Sequence, residues 1–177
     1  MLAAALVECA EHVRVLGTIH YDVVDRLVTP YVVGSAADAS RVRRGETPLG
    51  QPAGRRRSIF SSFEIERSET GVFEYWLIIS EILASAAWHV TRLIAEPAEY
   101  DDALRRMQSP QIVRAIPPPL LPSAELRDDG TALLDVTVYT RAGEERIERR
   151  TLALDEHNEF HFHGRALLAE GRGGVAV

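Results

Sequence analysis

The sequence predicts an α+β protein with N-terminal helices, a β-hairpin, central helices and a C-terminal four-stranded antiparallel meander. Three patterns lead there. Leu2, Leu6, Cys9, Val13, Leu16, His20, Val23 and Leu27 recur at alternating spacings of four and three, which keeps one apolar stripe on a helix. Ile59, Phe63 and Ile65 alternate with polar residues before the turn-forming run Ser68-Glu69-Thr70-Gly71 and the β-branched and aromatic run Val72 to Ile79. From residue 123 onward, strand-like runs are separated by Asp128-Asp129-Gly130, Arg141-Ala142-Gly143 and Asp155 to Asn158.

Taken in order, the first element is helix over about residues 2–29, interrupted at Gly17 and ended by Pro30, within a segment 1–33. Its stripe offers either an ordinary core face or a seam for a second copy, so a homo-oligomer is expected. Residues 34–58 lack apolar periodicity and form a loop. Residues 59–116 hold the hairpin, then a helix from an N-cap at Ser80 to about Glu96. The spacing of Trp76, Ile79, Leu83, Ala86, Val90 and Leu93 also permits that helix to reach back through the second strand. Pro97 at a first helical position, acids at Glu99, Asp101 and Asp102, and bases at Arg105 and Arg106 predict another helix matched to its dipole. Ser109-Pro110 starts a short further one. Residues 117–122 are a proline-rich connector, 123–170 the meander and 171–177 a tail, the whole forming one domain of 177 residues.

Composition narrows the chemistry. With 46% hydrophobic and 26% charged residues the chain can bury a core without staples. One cysteine, Cys9, excludes an intramolecular disulfide and any multi-cysteine metal cluster. All 20 basic residues are Arg, which excludes Schiff-base lysines and phosphate-loop lysines. Glu8 and Glu11 follow the first apolar run too soon for a secretory signal, so a cytoplasmic location is expected. Glu74, Glu81, His89 and Arg92 interrupt the long apolar stretch Val72 to Ala95, and no membrane association is expected.

Two groups of residues stand out. Arg41, Arg43, Arg44, Arg55, Arg56 and Arg57 face only Glu46 within residues 40–58, a local charge of +5 in a chain whose net charge is −6. Guanidinium forks suit carboxylates and phosphates, so two readings stand side by side: the loop docks an acidic protein or another anionic partner, with nucleic acid left open, or it pairs with the acidic body of its own fold. The nearest aromatic is Phe60, which leaves base stacking unsupported. The second group is His157-Asn158-Glu159-Phe160-His161-Phe162-His163. Strand alternation would put Glu159, His161 and His163 on one face and the phenylalanines on the core face, and these three residues would then hold one divalent metal ion with a further ligand. The first reading carries no cofactor and makes that face a solvated surface or a cavity wall, with the metal ion as its alternative. The paired acids Glu64/Glu66, Glu144/Glu145 and Asp128/Asp129 are expected in water. Trp88-His89-Val90-Thr91 has the histidine-x-threonine spacing of phosphoesterases that carry two such elements, but there is no second copy.

Residues 123–170 resemble the final strands of NTF2-like cone folds, a resemblance that implies a strand-lined pocket and transfers no residue roles. No complete catalytic constellation is present in the sequence. A non-enzymatic binding or assembly protein is therefore the first expectation, with a small cavity-containing or metal-dependent enzyme built on the His161/His163 strand as the alternative.

Overall fold

The computed structural model describes residues 8–16, 18–24, 27–33, 60–87, 91–114, 120–141 and 144–172. The class is the expected one, a mixture of helix and antiparallel sheet. The chain divides into two compact units, the first containing residues 1–87 and His157–Glu159, the second residues 88–156 and 160–177.

In the first unit the N-terminal helix expected through residue 29 is replaced by strands. Glu8 and Cys9 are helical, but β1 (Val13–Val15), β2 (Thr18–Val24) and β3 (Leu27–Val33) follow. Five of the seven residues in each of β2 and β3 are β-branched or aromatic, and that local preference prevails over the heptad-like spacing. Pro30 does not end a helix; it sits in β3 opposite Tyr21. Because β2 and β3 form a two-stranded sheet, a residue without an N–H is tolerated on the outer edge. Among the described residues of 13–33, strands stand where the helical seam for self-association was expected.

A 3-10 turn (Phe60–Ser62) leads into β4 (Phe63–Ile65), which pairs antiparallel with β1. The expected hairpin ends there. Residues 69–87 form one helix, α1 (Glu69–Ala87), so the helical spacing of the apolar run, not its β-branched content, describes it. Val72, Tyr75, Trp76, Ile79 and Ile82 are all buried, with spacings of three and four. The residues read as a turn are the helix cap: the Ser68 hydroxyl accepts from the Gly71 N–H at 3.1 Å, and the Ser68 carbonyl accepts from Val72 N–H at 3.0 Å. The Phe63 and Tyr75 rings meet at 5.4 Å, tilted by 60°.

The second unit is built on one antiparallel sheet of six strands. These are β5 (Thr91–Ile94), β6 (Gln111–Ile112), β7 (Ser123–Leu126), β8 (Ala132–Thr140), β9 (Glu145–Leu154) and β10 (Phe160–Gly171), in the order β5-β8-β9-β10-β6 with β7 also on β8. β7 pairs with the first half of β8 and β5 with its last four residues, so the two share one edge. The four-stranded meander β7–β10 was legible in the turns, including Gly130 at φ +81° and Asn158 at φ +65°. The helix expected to run to Glu96 instead gives way to β5, and the short helix expected after Ser109 is β6.

Helix α2 (Pro97–Arg106) forms where its signals placed it. The Glu99 carboxylate accepts from the backbone N–H groups of Ala95 at 2.8 Å and Glu96 at 3.3 Å. Asp102 bridges Arg92, Arg105 and Arg106; burial opposes its ionisation, but the Arg106 hydrogen bond and the three guanidinium charges hold its carboxyl below the usual range. The apolar face of α2 supplies Tyr100 and Ala103 to a core with Ile94, Met107, Leu120, Tyr139, Ile147, Leu168 and Ala169.

One paired acid departs from its expected place in water. Glu145 is 2% exposed, at the start of β9. Its carboxylate accepts from the Gln108 N–H at 2.7 Å and the Tyr139 hydroxyl at 3.0 Å, and pairs with the Arg141 Nε at 3.2 Å. A buried carboxylate needs several such donors. Burial, reinforced by this carboxylate, pushes the Tyr139 hydroxyl above its usual pKa.

Candidate functional site

Residues 155–159 connect β9 to β10, and the strand register determines what they and the first residues of β10 bring together. Ala153 pairs with His161 and Leu154 with Phe160. Continued by one step, that register sets Asp155 opposite Glu159, on the same face as His161, because alternate residues share a face. The side chains follow. His161 Nε2 lies 2.7 Å from Asp155 Oδ2, and one ligand atom from each of Asp155, Glu159 and His161 falls within 4.8 Å of the others. His161 is exposed, and the two carboxylates are half-buried.

Asn158, at the left-handed position of this turn, is fixed by its own contacts in the first unit. Its Oδ1 accepts from Arg67 at 2.7 Å, its Nδ2 donates to the Phe63 carbonyl at 3.0 Å, and its carbonyl accepts from the Tyr75 hydroxyl at 2.8 Å. Asn is among the few residues that adopt this conformation readily.

His163 is placed differently from His161. Phe162 pairs with Leu152 and Gly164 with Thr151, so His163 is the extra residue of a bulge. The simple alternation expected along Glu159, His161 and His163 is broken at this point. Phe162, expected on the core face, is 59% exposed. Among the described residues, the group that could ligate a metal contains Glu159 and His161 as expected, and Asp155 where His163 was expected. The missed signal was the hairpin register, which makes Asp155 a cross-strand neighbour although it lies six residues from His161.

A second cluster was not singled out in the sequence. Glu74, in the second turn of α1, takes the His12 backbone N–H on Oε2 at 2.9 Å and faces His12 Nδ1 with Oε1 at 3.2 Å. His12 borders a groove of about 490 Å³ with Glu11, Arg14, Glu64 and Glu66. The hydrogen bond to Glu74 raises the imidazole above its ordinary pKa, helped by the charges of Glu74, Glu66 and Glu11. Burial opposes ionisation of Glu74, but the hydrogen bonds from His12 outweigh it and hold the carboxyl low. The sign of the pH effect follows. The His12 contribution to stability is present below the ordinary imidazole pKa and is lost as pH rises through its raised value. The Glu74 contribution is present above the ordinary carboxyl pKa and is lost as pH falls through its lowered one. The attachment of residues 11–12 to α1 should therefore be strongest between about pH 4.5 and 6.5. Thermal unfolding of wild type and His12→Gln across pH 3 to 9 checks this: the gap in midpoint should peak in that window, and a pH-independent gap would contradict it.

Arg41, Arg43, Arg44, Arg55, Arg56, Arg57 and His89 lie outside the described residues. Cys9 is an exposed free thiol. No helix among the described residues is long and apolar enough to cross a membrane. Comparison with protein-family models, with characterised proteins and with solved structures gave no match. The cone-fold resemblance of residues 123–170 thus remains one of strand pattern.

Proposed function

We propose that this chain is a binding or assembly protein that contacts an acidic or phosphate-bearing partner through Arg41, Arg43, Arg44, Arg55, Arg56 and Arg57. The observation that carries the reading is the concentration of arginine in one segment of the sequence. Among the described residues, several arginines pair with neighbouring carboxylates: Arg14 with Glu64, Arg92, Arg105 and Arg106 with Asp102, Arg146 with Glu144, and Arg150 with Glu148 at 2.6 Å. The six arginines of residues 40–58 have one acid, Glu46, in their own segment. A concentrated positive segment on a chain of net charge −6 is suited to polyanions. Self-association belongs to the same reading. With the helical seam gone, the exposed Ile112, Val113 and Leu121 are side chains available for it.

The test is binding of inorganic polyphosphate by wild type and by the Arg55→Ala, Arg56→Ala, Arg57→Ala variant, with thermal stability as the control. A metal-dependent enzyme built on the His161 strand is the second reading, favoured by the grouping of Asp155 and Glu159 with His161.

A further inference from the structure

We infer that Asp155, Glu159 and His161 form a binding site for one divalent first-row transition ion of the zinc type. The proposal stands whether the chain is a binding protein or an enzyme. The donor set is one imidazole nitrogen and two carboxylates, a mixture that suits borderline ions such as zinc and excludes the thiolate-dependent ones. The ligand atoms already lie within 4.8 Å of one another. Donors about 2.0–2.2 Å from a tetrahedral ion are separated by roughly 3.3–3.6 Å, so small side-chain adjustments close the site. The 2.7 Å contact between His161 Nε2 and Asp155 Oδ2 would open slightly, each atom turning a lone pair to the ion in place of their shared proton.

The backbone favours this closure. All three ligands sit on one face of a single hairpin end, whose register is fixed by the Ala153–His161 and Leu154–Phe160 pairs. Asn158, the apex residue with positive φ, is held by three hydrogen bonds, so the turn is ordered before any ion arrives. Three protein ligands on an accessible turn leave a fourth position for water or for a donor from a bound molecule.

Zinc titration of chelator-treated, full-length protein, followed by calorimetry, tests the site. Wild type should take up about one equivalent with saturation, and His161→Gln and Asp155→Asn should each weaken binding by more than about 10-fold, the loss that even an outer partner of a ligand can cause. His163→Ala should bind as wild type does, and magnesium at the same concentration should not displace zinc, because the imidazole favours the softer ion. Circular dichroism on each variant confirms that the fold is retained; both conservative replacements keep side-chain size. Absence of saturable zinc uptake by the wild type would overturn the proposal. So would loss of binding in His163→Ala with none in Asp155→Asn, or displacement by equimolar magnesium.

Discussion

Gly71→Ala should lower the thermal midpoint by roughly 4–8 °C or more, although alanine is the better helix former by about 1 kcal/mol. Gly71 lies in the first turn of α1, and a Cβ there would stand 2.2 Å from the Glu66 carbonyl oxygen and 3.2 Å from the His12 Cβ. The carbonyl belongs to the backbone, so it cannot swing aside as a side-chain end would. The same stretch is tied down by the Glu66 N–H donating to the His12 carbonyl at 2.8 Å and the Ser68 N–H to the Glu66 carbonyl at 2.8 Å. Forcing these atoms apart costs about 3 kcal/mol or more, which exceeds the propensity gain and sets the sign. A variant as stable as wild type in differential scanning calorimetry would show that α1 does not approach residue 66 this closely.

Glu145→Ala should destabilise the protein by about 3–5 kcal/mol, the usual loss when one partner of a buried charged network is removed. The carboxylate is replaced by a void, and the Gln108 N–H and the Tyr139 hydroxyl lose their acceptor in a place that water does not readily reach. Gly171 is part of the same packing, since a Cβ there would lie 3.0 Å from Glu145 Oε2. Glu145→Gln should cost less, about 1–3 kcal/mol, because it keeps one acceptor oxygen and the volume. Chemical denaturation separates the two. Equal stability of Glu145→Ala and wild type would mean the carboxylate is hydrated, as the sequence had suggested.

The second unit was more legible than the first, for a physical reason. Its strands are separated by residues with restricted turn chemistry, Asp129-Gly130 and Asn158, and α2 carries a proline start, acids at one end and arginines at the other. Local chemistry alone specifies such elements. In the first unit, local and periodic signals disagreed. Residues 18–33 have helical spacing but β-branched side chains, and became strands; residues 72–79 have β-branched side chains but helical spacing, and became helix. For the second of these, burial of Val72, Tyr75, Ile79 and Ile82 at helical spacing accounts for the outcome, and tertiary packing routinely overrides weak propensity.

The candidate site divides in the same way. Glu159 and His161 could be read from strand alternation, whereas Asp155 needed the register of the hairpin and the bulge at His163 needed the full pairing of β9 with β10. Glu74 and His12 are 62 residues apart, and no spacing rule connects them. Glu145 looked like a turn acid beside Glu144, and only the sheet revealed that it is enclosed.

The most direct test of the binding reading is the salt dependence of polyphosphate binding by wild type and by the Arg55→Ala, Arg56→Ala, Arg57→Ala variant. Wild type should bind, with affinity falling steeply between 50 and 200 mM salt as neutralised phosphates release their counterions. The triple variant should lose most of that binding while its thermal midpoint stays nearly unchanged, since exposed charges contribute less than about 1 kcal/mol each to folding. A wild-type chain that ignores polyphosphate at low salt would contradict the account. So would a triple variant that binds as well as wild type, or one that unfolds at a markedly lower temperature because those arginines pair with the acidic residues of their own fold.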